Sequence, residues 1–278
     1  YDIYEIYCVA NVLLLMITII LYISRFCIST VIVNIISYAS KPIMNPNPDY
    51  QLVIDAYALC DRSTPLCFWL SYVHQISSYS STCLVQVGYD CVLFNFIQRI
   101  SCLLKILEYR ILKLPNLVEI QAFGYHDEIN YIKECIKEHH SICKAVKALN
   151  DSFYETVFIQ LISSILTMCT NIYLLSMQDI FSSEFNAVFI FLCCLFTQNF
   201  LFCWFGFKIS SNSLHVSNSI FNMNWCILQK ESKTMLAYVM LKTAQPIYLF
   251  SKSIIRLTPE SFINIVKVSY SAFNILQH

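Results

Sequence analysis

Two stretches near the C-terminus decide the fold of this 278-residue chain. The first, residues 199–225, reads NFLFCWFGFKISSNSLHVSNSIFNMNW, an aromatic run that continues into an amphipathic segment. The second, residues 257–278, reads LTPESFINIVKVSYSAFNILQH, which favours one short, mixed apolar helix. A helix that is apolar on every side is typical of a buried or membrane-spanning segment. These two stretches therefore predict that the chain folds as a set of membrane helices.

The composition supports a membrane protein. Hydrophobic residues make up 57% of the chain and charged residues only 13%, with a mean hydropathy of +0.56, whereas roughly a quarter of a soluble domain is charged. The net charge is zero, so no basic surface indicates nucleic acid as a partner. Three glycines leave no room for a glycine-rich phosphate loop.

The cysteines predict neither a disulfide scaffold nor a metal site. All fourteen are scattered, mostly singly within apolar runs, whereas a zinc site needs clustered ligands. Cys193 and Cys194 are interpreted as small hydrophobic residues. Cys60 and Cys67 fall in a predicted extracellular loop, where a disulfide is possible. We expect no cofactor.

The first predicted membrane helix occupies residues 1–38. Its apolar run, Ile6–Tyr38, would be about 48 Å long against a hydrocarbon core of about 30 Å, so it must tilt or project. Arg25 either lines a cavity or extends to the interface, and both interpretations stay open. Without an initiator Met or a signal-peptide pattern, we expect a fragment of a longer protein.

A proline-rich loop separates the first helix from a much longer one. Residues 39–65 contain four prolines and are predicted to be an extracellular loop. A helix over residues 66–112 would be about 70 Å long, so its second half should extend into the cytoplasm. Asp90 lies where charges first appear in it and marks either the membrane exit, a packing contact or an ion site.

The following segment, residues 113–150, is predicted to be a cytoplasmic turn and helix. The break is placed at Leu114-Pro115-Asn116 and Gly124. The helix carries a stripe at spacings of three and four: Ile129, Ile132, Cys135, Ile136, His139 and Cys143. His139-His140 is interpreted as surface histidine rather than a metal pair. In water this stripe must be buried, most economically against neighbouring subunits, so we expect oligomerisation.

Three more segments complete the predicted topology. A span over residues 151–177, an extracellular turn at 178–185 and a span over 186–207 precede a cytoplasmic anchor region, 208–256, and a final helix, 257–278. Lys and Arg number six in 108–150 and six in 208–256, but two in 39–65 and none in 178–186. By the positive-inside rule the C-terminus lies outside, after five spans. A G-protein-coupled receptor would end inside.

Several positions in the C-terminal third carry a resemblance to the insect odorant receptor family. They are Phe202-Cys203-Trp204-Phe205-Gly206, Ser213, Val216, Ser219, Phe221, Trp225, Met240, Gln245-Pro246, Leu249 and Tyr270-Ser271-Ala272-Phe273. That resemblance implies an all-α polytopic membrane bundle with long cytoplasmic helical extensions, of whose seven helices this chain is similar to the third through the seventh. It departs from the family at Ser251-Lys252, usually Ala-Gly, and lacks a common second Tyr near the end.

The resemblance also implies a function. Family members form a heteromeric, odorant-gated, non-selective cation channel with a shared co-receptor subunit, as a tetramer in the plasma membrane of olfactory dendrites. The last helix then lines the pore, with Ile275 or Leu276 as an apolar gate unless both pack against lipid or other helices. Phe221, Trp225 and Pro246 are predicted to anchor the subunits.

The ligands expected from the family are small volatile apolar molecules. They should bind in a closed apolar pocket in the outer half of the bundle, where aromatic walls supply most of the affinity. Tyr72, Tyr79, Phe189 and Phe196 are the candidate wall residues, and each is equally well explained as core packing. Lacking two helices that help to form the pocket, the chain is not expected to function alone.

Other classes of protein fit the residues less well. A gustatory-type receptor is similar in architecture but carries a Thr-Tyr-x-x-x-x-x-Gln-Phe motif in its last helix, which this sequence lacks. A secondary transporter would show broken helices or an internal repeat. An enzyme would need a nucleophile with its base or a metal cluster, and the sequence presents neither.

Overall fold

A computed structural model describes residues 65–120, 124–179, 182–250 and 256–277. Within these ranges the chain is all-helical, with no strand, as predicted. The helices are α1 (Pro65–Glu119), α2 (Tyr125–Ser176), α3 (Ser183–Asn222), a 3₁₀ turn (Trp225–Ile227), α4 (Lys230–Thr243) and α5 (Pro259–Gln277). The predicted first span with Arg25, and the loop with Cys60, lie outside the described residues.

The described residues belong to two compact units. Residues 65–93 of α1 fall in one unit, and all described residues from Phe94 onward fall in the other. α1 therefore contributes residues to both units. The larger unit contains the C-terminal stretches that decide the fold.

The predicted break at Leu114-Pro115-Asn116 is wrong. Pro115 lies inside α1, which continues to Glu119. A proline removes a single N–H donor, and here it lies in the last turns, where Ile120 N still donates to Asn116 O at 3.2 Å. The turn comes after Glu119. Gly124, the second predicted break position, is the N-cap of α2, and the backbone N–H of Gly124 donates to Asp127 Oδ2 at 3.1 Å.

The two helices that follow are longer than the bilayer core. α2 is one helix of 52 residues, about 78 Å, and joins the predicted charged and apolar segments without a break. α3 begins at a Ser182 cap, whose Oγ accepts from Phe185 N at 2.9 Å, and continues past Phe207 to Asn222. Of the helices described, the stretches His126–Ser176 and Phe185–Asn222 are long and apolar enough to cross a membrane. The five-span topology stays a prediction.

Constant offsets in the larger unit show that helices lie side by side in parallel. α3 follows the end of α1 with an offset of 111 residues, seen in Asn212 with Ser101, Ser219 with Glu108, and Phe205 with Phe94. The C-terminal third follows α2 with an offset of 100 or 101, seen in Gln229 with Glu128, Phe250 with Asn150, and Ser269 with Met168. α2 is therefore a single rod that supports both α4 and α5.

The ends of α1 and α3 pack with the start of α2 and with α4. We call this part the base bundle, formed by residues 100–119, 125–150, 208–222 and 230–243. Most of its large fully buried side chains are apolar: Leu104, Leu107, Leu114, Ile132, Ile209, Val216, Ile220 and Leu236, with the polar Ser101, Glu128 and Ser232 buried beside them. Arg110 of α1 pairs with Glu134 (3.5 Å) and Glu138 of α2 at its edge. The base bundle is thus a packed core of its own.

The argument that the α2 stripe needs a neighbouring subunit is wrong. Ile132 is 1% exposed and Cys135 6% exposed within the single chain. The covering helices are α1, the continuation of α3 beyond Phe207, and α4, since Leu107, Val216 and Leu236 line the same small cavity as Ile132. The α2 stripe therefore gives no reason to expect oligomerisation.

Candidate functional site: the last helix and its supports

The last helix, α5, starts where the sequence places its cap. Thr258 Oγ1 accepts from Ser261 N at 3.3 Å, Pro259 occupies the first helical position and Glu260 lies in the first turn. Each is a residue type that favours a helix N-terminus, by capping, by its fixed φ or by its negative charge. The start of α5 is therefore fixed by local sequence.

Only one stripe of α5 is buried. Ile265, Ser269 and Phe273, spaced four residues apart, are each 8% exposed or less. The large apolar residues away from that stripe are exposed: Ile263, Val268, Tyr270 and Ile275. An uncovered apolar face of this kind on a membrane protein fits lipid, another subunit or a pore.

The buried stripe packs on α2 and α3. Ser269 Oγ donates to Ile265 O at 2.9 Å and lies 3.9 Å from Met168 Sδ of α2. The ring of Phe262 meets Phe200 of α3 edge-on, with centroids 5.6 Å apart. Both supports therefore hold the first three turns of α5.

Gly206 allows the closest approach between α3 and the start of α5. A Cβ at this position would lie 2.4 Å from Leu257 Cβ and 2.8 Å from Leu257 O. Because backbone cannot move aside as a flexible side chain can, only glycine fits without a shift. The single glycine of the aromatic span thus determines how near α5 begins to α3.

The predicted gate residue Ile275 lies on the uncovered face. Its side chain is 77% exposed, so it does not pack against the described part of the chain. Leu276 belongs to α5, but its side chain is outside the described residues. The assignment of a gate to either residue stays a prediction.

The four predicted pocket residues form two pairs. Phe189 and Phe196 lie on α3, where Phe189 is 48% exposed and stacks on Phe185 with ring centroids 6.2 Å apart. Tyr72 and Tyr79 lie on α1 in the smaller unit, where Tyr72 is buried and stacks on Phe68. The pairs belong to different compact units. A shared pocket stays a prediction.

Two further positions of the smaller unit bear on open questions. Asp90 is buried, and its Oδ1 accepts from Gln86 Nε2 at 3.3 Å, a contact that its packing interpretation requires. Cys67 is disulfide-bonded, while the other described cysteines form no disulfide. The predicted partner, Cys60, lies outside the described residues.

The predicted anchor residues surround the end of α3 and the segment after α4. Phe221 is 69% exposed, and Trp225 Nε1 donates to its carbonyl at 3.2 Å. Pro246 is half-buried. Exposure of Phe221 is what a contact with another subunit needs, and the anchor role stays a prediction.

His139 is half-buried rather than a simple surface residue. It lines a groove of about 350 Å³ with His140, Cys143, Tyr238 and Lys242. Burial, followed by the charge of His140, lowers the pKa of His139. Among the described residues no group of three potential ligands could hold a metal ion.

Sequence reasoning missed the polar side chains that hold the segment after α4. Ser210, Ser213 and Ser217 lie on one face of α3 and bond to backbone atoms of Met240 and Ile247. Asn150 of α2 bonds to Phe250 N. The serine spacing of three and four was visible in the sequence, but the partner segment was not.

These features define a class of protein: a membrane-type bundle of long helices that ends in a short helix with an uncovered apolar face. Over residues 3–270 the sequence matches the family described as 7tm Odorant receptor. The chain therefore belongs to the insect odorant receptor family, a family of membrane-bound olfactory receptors.

Curated relatives and solved structures agree with this assignment. The chain is 22% identical over 218 residues to odorant receptor 46a, isoform A, of Drosophila melanogaster, covering 76% of the chain and 55% of the relative. It is 27% identical over 154 residues to odorant receptor 22b of the same species, covering 54% and 38%. The chain thus spans about half the length of these relatives.

The solved structure of olfactory receptor OR5 from Machilis hrabei in complex with eugenol shares the fold. It superposes with a TM-score of 0.74 at 9% identity, covering 96% of this chain and 68% of that one. A second solved structure of the same receptor gives a TM-score of 0.71 at 10% identity. At such identities the likeness concerns the fold alone.

Proposed function

We propose that this chain is an odorant receptor subunit that binds volatile apolar molecules within the membrane and gates a non-selective cation channel together with a co-receptor. The observation that supports it best is the asymmetry of α5. One stripe is buried against α2 and α3, while Ile263, Val268 and Ile275 remain uncovered. A helix that faces a central pore in an assembly of subunits has to leave such a face free in the single chain.

In this proposal Ile275 contributes to an apolar gate. A ring of bulky aliphatic side chains can close a pore by expelling water from it, and ions then lose their hydration on entry. Rotation or tilt of α5 would remove the side chains from the axis. Leu276, the next residue, is the second candidate.

The ligand would be recognised mainly by shape and by aromatic contact. Volatile molecules offer few hydrogen bonds, so affinity has to come from apolar burial and ring stacking. Phe189 and Phe196 lie seven residues apart on α3 and so share a face, and Tyr72 and Tyr79 have the same spacing on α1. The assembly belongs in the plasma membrane of olfactory dendrites, as a tetramer with the co-receptor.

Electrical recording tests the proposal. The receptor is expressed from its complete coding sequence in oocytes with an insect odorant co-receptor, and currents are recorded while a panel of volatiles, eugenol among them, is applied. We expect an inward current that reverses near zero with mixed sodium and potassium, absent with the co-receptor alone. Failure of the whole panel to evoke current from a receptor present at the cell surface would contradict the proposal.

A further inference from the structure

The described residues between α4 and α5 are held in an unusual backbone conformation. α4 ends at Thr243, and residues 244–250 are not helical. Phe250 has a φ of 58°, in the left-handed region that residues with a side chain seldom adopt. Leu249 and Phe250 are almost fully buried. Such a conformation persists only where the surrounding structure imposes it.

Three side chains from two other helices bind the backbone of this segment. Ser213 Oγ of α3 accepts from Ile247 N at 2.9 Å, and Ser210 Oγ donates to Ile247 O at 3.0 Å. Asn150 Oδ1 of α2 accepts from Phe250 N at 3.0 Å. A buried backbone group without a helical partner needs a bond of this kind. We call Asn150, Ser210 and Ser213 the clamp.

The clamp attaches the segment to both helices that support α5. α2 contacts α5 through Met168 and Ser269, which are 101 residues apart, close to the 100 residues that separate Asn150 and Phe250. α3 contacts the start of α5 through Gly206, only four residues before Ser210. The clamp therefore attaches Ile247 and Phe250 to the same two helices that support α5.

We propose that the clamp positions α5 and so sets how readily the channel opens. The gating consequence rests on the proposed function, whereas the positioning does not. Phe189, Phe196, Ser210 and Ser213 all lie on the continuous helix α3, so a ligand that shifts α3 moves the clamped segment and α5 with it. When the clamp is weakened, α5 no longer follows the shift of α3 and no longer keeps its resting position.

Hydrogen–deuterium exchange of the purified receptor tests the positioning directly. In Asn150→Ala and in Ser213→Ala we expect peptides covering residues 244–250 and 256–265 to exchange roughly tenfold faster, since each change removes a bond from a buried backbone group. Ser213→Thr keeps the hydroxyl and should restore slow exchange. Asn130→Ala and Ser211→Ala, on the same helices, should leave both peptides unchanged. Unchanged exchange of the 256–265 peptide in both clamp variants would overturn the proposal.

Current recordings with the co-receptor then test the consequence for gating. We expect the clamp variants to change the resting current or the half-maximal eugenol concentration by at least about threefold, at equal surface expression. If wild-type receptor gives no current with any volatile, the proposed function fails, while the exchange experiment still decides whether the clamp positions α5. If wild type conducts and the clamp variants gate identically to it, the gating role is wrong.

Discussion

The base bundle and α5 bury their apolar residues in different ways. In the base bundle, Leu107 and Ile132 are covered by helices of the same chain, and Arg110 pairs with two carboxylates at its edge. α5 is covered along one stripe only and leaves Ile275 exposed. The difference indicates that the base bundle buries its apolar residues within one chain, whereas α5 leaves an apolar face uncovered, as the proposed assembly requires.

The largest effect on stability should come from the core of the base bundle. Leu107→Ala removes a side chain with no exposed surface and leaves a cavity, so we expect a loss of about 2–5 kcal/mol. Ile275→Ala removes one that is 77% exposed and should cost less than about 1 kcal/mol. Thermal unfolding in detergent, followed by size-exclusion chromatography, measures both. Equal losses for the two variants would contradict the comparison.

A smaller effect is expected where α5 meets its support. Gly206→Ala places a Cβ against the backbone of Leu257, which should cost about 1–3 kcal/mol by overpacking. Gly88→Ala is a matched control, because nothing lies within 4 Å of its added Cβ. Surface expression and melting temperature should fall for the first variant alone. If both variants match wild type, the close approach of α3 and α5 is not a constraint.

The base bundle and the contact between α3 and α5 show what local sequence could and could not predict. The all-helical fold, a final helix near residues 257–278 and the family follow from composition, hydrophobic pattern and the C-terminal signature. The partner of the α2 stripe does not, because α3 and α4 lie about 80–100 residues further along the chain and no local period reveals them. The same reason applies to Gly206 and to the clamp residue Asn150. Gly206 contacts Leu257 and Asn150 contacts Phe250 only in the folded chain, so local sequence does not reveal either role.

The smallest effect concerns the dependence of the base bundle on pH. Burial, and then the charge of His140, lower the pKa of His139, so the folded state favours the neutral ring. The stabilisation is complete above the unfolded pKa of about 6.5 and is lost as the pH falls through the lower folded value. We expect His139→Gln to lose less melting temperature than wild type between pH 7.5 and pH 5.

His140→Gln is the matched control, since its side chain is exposed. It should keep most of the dependence on pH and reduce it slightly by removing the neighbouring charge. A profile for His139→Gln that is identical to wild type would show that this histidine does not contribute.

Thiol modification of single cysteine variants tests the central claim, that the uncovered face of α5 lines the pore. Ile275→Cys lies on that face and Ile265→Cys on the buried stripe, and each is expressed with the co-receptor. A charged, membrane-impermeant thiol reagent is added outside while a volatile that evokes current in the recordings described above holds the channel open, with wild type as the baseline. We predict rapid block of the current in Ile275→Cys and none in Ile265→Cys beyond that baseline. Block of both variants at equal rates, or of Ile265→Cys alone, would contradict the account.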